Sequence, residues 1–154
     1  MLVIKWSLQA FFVSIEFLIV TIMLLVYINW SEFLAAYVGD MLKHDLGRYL
    51  CFLPAVLCGF VFKWLGDVLS PSHNNRKILW RWGDVMKLKI YALCGLVWMI
   101  LSTIVSVISF IFLERIALSI SSTGVFTAII VSFISAMSIY LARYKIIELL
   151  DSVK

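Results

Sequence analysis

Glu16 is the residue whose type and position could do chemistry, because it is the only acidic residue deep within a long hydrophobic stretch. An ionisable group in such a place is costly in hydrocarbon and marks a functional site by default. Burial disfavours the charged form of a carboxyl group. We therefore expect Glu16 to be protonated, as a proton-exchanging group would be, or hydrogen-bonded to Gln9, Ser14 or hydroxyls elsewhere. The alternative is a purely structural bond between helices.

The partner hydroxyls stand in two later hydrophobic stretches, where small residues recur at helical spacing. The third stretch has Gly95, Ser102, Ser106 and Ser109, and the fourth has Gly124, Ala128, Ser132, Ser135 and Ala136. Small residues let helices in lipid approach closely, and hydroxyls bond across the contact. The pattern predicts that the two stretches pack as a tight antiparallel hairpin. The alternative is that the hydroxyls line a narrow hydrated path in an oligomer.

Other chemistry finds no support in the sequence. Cys51, Cys58 and Cys94 lie in hydrophobic stretches, whereas His44 and His73 lie in separate polar connections, so no metal-ligand cluster is expected. The sequence has no phosphate-binding glycine loop, nucleophile elbow or paired carboxylates. We therefore expect a protein that is not an enzyme and that uses no metal or cofactor.

The composition places these residues in a membrane. Of the 154 residues, 64% are hydrophobic and 14% are charged, against about 45–50% and about 25% in an ordinary soluble domain. Stretches of about 6–30, 49–69, 90–113 and 116–141 are long enough to cross the hydrocarbon layer as helices. The prediction is an all-α integral membrane protein, a single membrane domain over residues 1–154 that forms a four-span antiparallel transmembrane helix bundle.

The positive charges predict the orientation of the bundle. Ten of the 13 Lys and Arg residues lie in the N-terminal segment, in residues 63–89 or in the C-terminal tail, and only Lys43, Arg48 and Arg115 lie in the other connections. Short cytoplasmic segments carry the excess of Lys and Arg. We expect both termini in the cytoplasm, with the protein in a bacterial inner membrane.

An amphipathic pattern over residues 75–89 predicts a helix lying on the cytoplasmic surface just before the third span. Arg76, Lys77 and Arg81 lie opposite an apolar face that contains Trp82, an arrangement suited to the anionic inner leaflet. The alternative ligand for the basic residues is an acidic protein partner, and direct binding of nucleic acid is not expected. A weaker pattern over residues 31–48 predicts another interfacial helix between the first and second spans.

The tail, residues 142–154, continues the helical period with Ile146, Leu149, Leu150 and Val153 as an apolar stripe. If the tail projects straight into the cytoplasm, the stripe must pack on another copy of the chain or on a soluble partner. The alternative is that the tail bends and lies on the bilayer.

In size and layout the chain resembles small bacterial inner-membrane proteins of conflict systems: immunity proteins against pore-forming bacteriocins, phage exclusion proteins and membrane subunits of anti-phage modules. Four spans with a glutamate in the first also resemble the small multidrug transporters. Those have minimal loops, whereas this chain has connections of about 18 and about 20 residues, so we do not carry their function over.

Three functions follow as hypotheses. The first is an oligomeric membrane scaffold or sensor that recruits a soluble cytoplasmic partner, within a bacterial defence or immunity system. The second is an ion or proton channel formed by oligomerised spans, with Glu16 and the Ser and Thr faces of the third and fourth spans. The third is an immunity protein that binds a pore-forming toxin in the bilayer.

Overall fold

The computed structural model describes residues 14–43, 45–69, 85–112 and 118–151, and these residues form helices with no strand among them. The helices are α1 (Ile15–Lys43), α2 (Asp45–Leu69), α3 (Val85–Ile111) and α4 (Leu118–Asp151). Each is long and apolar enough to cross a membrane. The predicted all-helical fold with four such helices is confirmed. The part of the predicted first span that precedes residue 14 lies outside the described residues. So does the part of the predicted amphipathic helix that precedes residue 85.

The helix boundaries differ from the predicted spans at three places. Helix α1 continues past the predicted end of the first span as far as Lys43, with Trp30 in a non-helical conformation (φ −136°, ψ 32°) at the predicted boundary. Helix α3 begins at Val85 and so includes the end of the segment predicted as a separate amphipathic helix. Helix α4 runs through the predicted tail to Asp151.

Helix α4 is the centre of the bundle, because it packs against each of the other three helices and most extensively against α3. Gly95 of α3 lies against Ile139, and the hydroxyl of Ser102 meets that of Ser132, so α3 and α4 are antiparallel. Helix α2 runs parallel to α4.

We call the two ends of the bundle the Lys89 end and the Ser121 end, after residues that lie there. At the Lys89 end, where α2 ends and α3 begins, the Lys89 ammonium group donates a 2.9 Å hydrogen bond to the carbonyl oxygen of Leu69. That carbonyl belongs to the last turn of α2, where no amide of the same helix is available to bond it. At the opposite Ser121 end, α3 ends and α4 begins.

The main core cluster lies towards the Lys89 end and is apolar. Its buried members come from α2, α3 and α4: Cys58, Val61, Leu65, Val68, Ala92, Met99, Ala136, Ile139 and Ile146. An edge-on contact between Trp64 and Tyr140, with ring centroids 5.4 Å apart, closes one side of α2 against α4. These side chains hold α2, α3 and α4 together on one side of the polar residues described next.

Candidate functional site

Glu16 lies in the first described turn of α1, and its side chain is buried with 5% of its surface exposed. The Ser135 hydroxyl of α4 donates a 3.3 Å hydrogen bond to Glu16 Oε1. Ser14, another predicted partner, instead accepts a 3.2 Å bond from the amide of Phe17 through its hydroxyl. Gln9 lies outside the described residues. The structure therefore pairs Glu16 with a hydroxyl of α4.

The carboxyl group sits near the middle of the bundle's length. Its partner Ser135 lies within the apolar window Ile120–Glu148, about 20 Å from either end at 1.5 Å of rise per residue. The rings of Phe17 and Trp98 meet with centroids 6.3 Å apart, which holds this part of α1 against α3.

Two buried serines join α3 to α4 beside this site. The hydroxyl oxygens of Ser102 and Ser132 are 2.6 Å apart, and Ser102 Oγ also donates a 2.8 Å bond to the carbonyl oxygen of Met99. A serine hydroxyl has a single hydrogen to donate but can accept two bonds. When Ser102 donates to Met99, Ser132 is therefore the donor between the helices.

Ser106 joins α3 to α2. Its buried hydroxyl donates a 2.7 Å hydrogen bond to the carbonyl oxygen of Cys51. That carbonyl lies one turn before Pro54, which is inside α2, and a proline ring removes an amide donor and crowds the preceding turn. Hydroxyls of neighbouring helices are among the groups that satisfy the backbone around such a proline. Ser106 therefore bonds α2 within the turn that precedes Pro54.

Ser109 of α3 lies directly against Gly124 of α4. A Cβ atom placed on Gly124 would lie 2.8 Å from Ser109 Oγ, so this contact requires a residue without a side chain. Nearer the start of α4, Ser121, Ser122 and Thr123 are buried as well.

The buried polar residues divide the core into two halves at the level of Glu16. The buried polar residues between Glu16 and the Ser121 end come from α3 and α4: Ser102, Ser106, Ser109, Ser121, Ser122, Thr123 and Ser132. Between Glu16 and the Lys89 end, the described residues contribute apolar side chains and no buried hydroxyl. We call these parts the hydroxyl half and the apolar half.

A cavity of about 420 Å³ lies in the hydroxyl half, between α1, α3 and α4. Its lining is mainly apolar and includes Met23, Tyr27, Trp98, Thr127 and Ala128. Ser102 also lines the cavity. The cavity reaches Val20 and Val131, each about one helical turn from the Glu16 and Ser135 pair.

The structure places the other predicted packing residues at the same helix contacts. Gly95 and Ala128 are buried, as is Ala136 in the apolar core cluster. Among the described residues there is no group of three or more His, Cys, Asp or Glu side chains that could hold a metal ion.

The residues predicted to bind a cytoplasmic partner or lipid are only partly described. Arg76, Lys77, Arg81, Trp82 and Val153 lie outside the described residues, as does the side chain of Leu149. Ile146 is buried within the chain itself at 3% exposed, and Leu150 packs against the same core cluster. The reason is that α2 and α3 extend far enough towards the Lys89 end to cover this face of α4. The structure thus supplies an intramolecular partner for half of the predicted stripe.

Comparisons with protein-family models, curated proteins and solved structures find no match. The site therefore rests on its own geometry. The sequence reading did not single out Ser122, Thr123 or Trp98 as members of the polar site. The run Ser121–Gly124, four small residues opening a hydrophobic stretch, was the available signal for the first two. Trp98 gave none, because an aromatic residue is equally common facing lipid.

Proposed function

We propose that this protein is an integral membrane protein that conducts protons, with Glu16 as the exchanging group. The observation that carries the proposal is a buried carboxyl group midway along an apolar helix bundle, bonded to the Ser135 hydroxyl. Within the described part of the chain no Lys, Arg or His forms an ion pair with it. An ionisable group inside an apolar bundle is costly to keep and marks a functional site by default.

Membrane insertion is supported by the outward surface of the helices. Ile28, Phe60 and Phe133 point away from the core with 68%, 61% and 64% of their surfaces exposed, and apolar side chains of this kind cover the described helices on all sides. Such a surface would cause aggregation in water but suits hydrocarbon. With the excess of Lys and Arg at the Lys89 end and in both termini, we propose that this end faces the cytoplasm of a bacterium.

The proposed chemistry is reversible proton exchange. The neutral Glu16 carboxyl group gives its proton to an adjacent water molecule or hydroxyl and becomes a carboxylate, and the Ser135 hydroxyl stabilises the negative charge by donating to Oε1. The carboxylate then takes a proton back from a neighbouring donor. Serine hydroxyls can pass protons along because each both donates and accepts.

Reconstitution into liposomes tests this proposal. A potassium gradient with valinomycin drives proton uptake, and a trapped pH-sensitive dye reports it. We expect flux with the unaltered protein and background flux with Glu16→Gln, which cannot exchange a proton. Glu148→Gln is the matched control, because Glu148 is half-exposed and pairs with Lys145 at the surface. If the unaltered protein never exceeds protein-free liposomes, or if Glu16→Gln conducts equally well, the proposal is wrong.

A second proposal is the oligomeric scaffold that recruits a soluble cytoplasmic partner. The observation that favours it is the basic character of residues 63–89, together with the exposed Tyr144 and Ile147 on the last turns of α4. Replacing the exposed Tyr144 and Ile147 with Asp tests it by co-purification from detergent. Unchanged recovery of partner and of self-association would exclude a role for the tail.

A further inference from the structure

We propose that Glu16 exchanges its proton rapidly with the Ser121 end of the bundle, and that the apolar half is the slow, rate-limiting barrier between Glu16 and the Lys89 end. This inference rests on the proposed function, because it assigns the side from which the same carboxyl group is reached. It also makes a claim about access that can be measured without any transport.

The first support is the distribution of hydroxyls. Starting from the pair formed by Glu16 and Ser135, the described core offers hydroxyls only in the direction of the Ser121 end. Ser132 and Ser102 are in mutual contact at 2.6 Å, and Ser106 follows one turn further along α3. A proton moving in this direction meets groups that can both accept and donate it.

The second support is a polar atom that needs a partner. Ser121 is 1% exposed, and within the described residues its Oγ has no hydrogen-bond partner. A buried polar atom without a protein partner is commonly satisfied by a buried water molecule. Ser109, also buried, lies against Gly124 one turn deeper along α4. We therefore place water near the Ser121 end of the hydroxyl half.

The third support is the character of the opposite half. On the Lys89 side of Glu16, Ile139, Val61 and Val68 are completely buried. The described residues thus place close-packed apolar side chains in this half, whereas a water molecule needs two to four polar partners to reside in a protein core. The cavity of about 420 Å³ lies on the Ser121 side.

Reactivity of single cysteines with Ag⁺ tests the inference, since this ion is small and the readout does not depend on flux. In a background with Cys51, Cys58 and Cys94 changed to Ala, cysteine replaces Ser109 or Ser121 in the hydroxyl half. It replaces Ala92 or Ala142, both buried, in the apolar half. Ag⁺ is added to one face of the vesicles, and the remaining thiols are counted with a maleimide after denaturation.

We expect the Ser109→Cys and Ser121→Cys thiols to react at least about tenfold faster when Ag⁺ is added at the Ser121 face than at the Lys89 face, because only that half holds water. The Ala92→Cys and Ala142→Cys thiols should resist Ag⁺ from both faces. Reaction of either of these from the Lys89 face, or equal rates for Ser109→Cys from both faces, overturns the inference. Size-exclusion profiles identify any variant that fails to fold. Thr127→Cys, at a residue that lines the cavity, replaces a failed variant of the hydroxyl half.

The outcomes separate this inference from the proposed function. One-sided Ag⁺ access in a protein that never conducts refutes proton conduction and leaves the access asymmetry standing. Flux that depends on Glu16, combined with equal access from both faces, refutes the asymmetry and leaves conduction standing.

A variant of the apolar half provides a second measurement. Ile139→Ser places a hydroxyl in the completely buried cluster, and we expect proton flux to rise several-fold as the isolation fails. Met137→Ser is the matched control on the same helix, since Met137 is half-exposed at 51%. Equal flux in the two variants contradicts the assignment of the apolar half as the barrier.

Discussion

Gly124 lies so close to Ser109 that a Cβ atom on the glycine would stand 2.8 Å from the serine oxygen. The contact joins the second half of α3 to the first half of α4, within the part of the core that holds the hydroxyls. The spacing of these two helices therefore depends on the absence of a side chain at one position.

Gly124→Ala should lower the free energy of unfolding by about 1–2 kcal/mol, because the added methyl group displaces the Ser109 hydroxyl. Denaturant titration in detergent measures it. Gly59→Ala is the control, since a Cβ there meets nothing within 4 Å. Adding Ser109→Ala to Gly124→Ala should recover part of the loss, and a double variant that is less stable than Gly124→Ala alone would contradict this account.

The hydrogen bond between Ser102 and Ser132 should contribute about 0.6 kcal/mol of coupling free energy, the typical value for such bonds between helices in membranes. A double-mutant cycle with alanine at both positions measures this coupling. Ser138→Ala, which removes an exposed hydroxyl of α4, should leave the stability unchanged. Strictly additive effects of the two buried substitutions would show that the 2.6 Å contact does not stabilise the fold.

Lys89→Met should destabilise the bundle by about 1 kcal/mol, because the carbonyl oxygen of Leu69 loses its charged donor at the negative end of a helix. Lys63→Met is a control of the same type at an exposed position of α2. Thermal unfolding of the two variants in one detergent gives the comparison. An equal change in both would indicate a general effect of charge rather than loss of the 2.9 Å bond.

Glu16→Gln should change the unfolding free energy by less than about 1 kcal/mol, because the glutamine amide oxygen still accepts from Ser135. Ser135→Ala should cost more, since a buried carboxyl group then loses its donor. Unfolding in detergent at one fixed pH compares the two variants. A glutamine variant that unfolds much more easily than Ser135→Ala would make the carboxyl group a structural element, and its loss of flux would then carry no functional meaning.

Much of the fold follows from hydrophobic length and helical period alone. Four stretches of about 20 apolar residues allow little else, and the positions of Gly95, Ser102 and Ser109 already mark one face of α3. The position of Trp30 at the kink of α1 also coincides with the predicted end of a span.

The remainder depended on tertiary contacts that periodicity does not encode. The apolar stripe at the end of α4 was predicted to need an external partner, yet Ile146 is covered by neighbouring helices, because their lengths relative to α4 were unknown. Several hydroxyls were candidates to bond Glu16, and only helix packing selected Ser135. The division of the core into two halves likewise required the register between helices.

The central position of α4 has a consequence for how the chain is made. Because α4 is synthesised after the other three described helices and touches each of them, a nascent chain that stops before Leu118 contains Glu16 without the residue that will bond it. Such a fragment leaves an ionisable side chain without its hydrogen-bond donor and without the helix that covers it. We expect chains truncated before Leu118 to be degraded within a pulse-chase experiment while chains that include α4 persist.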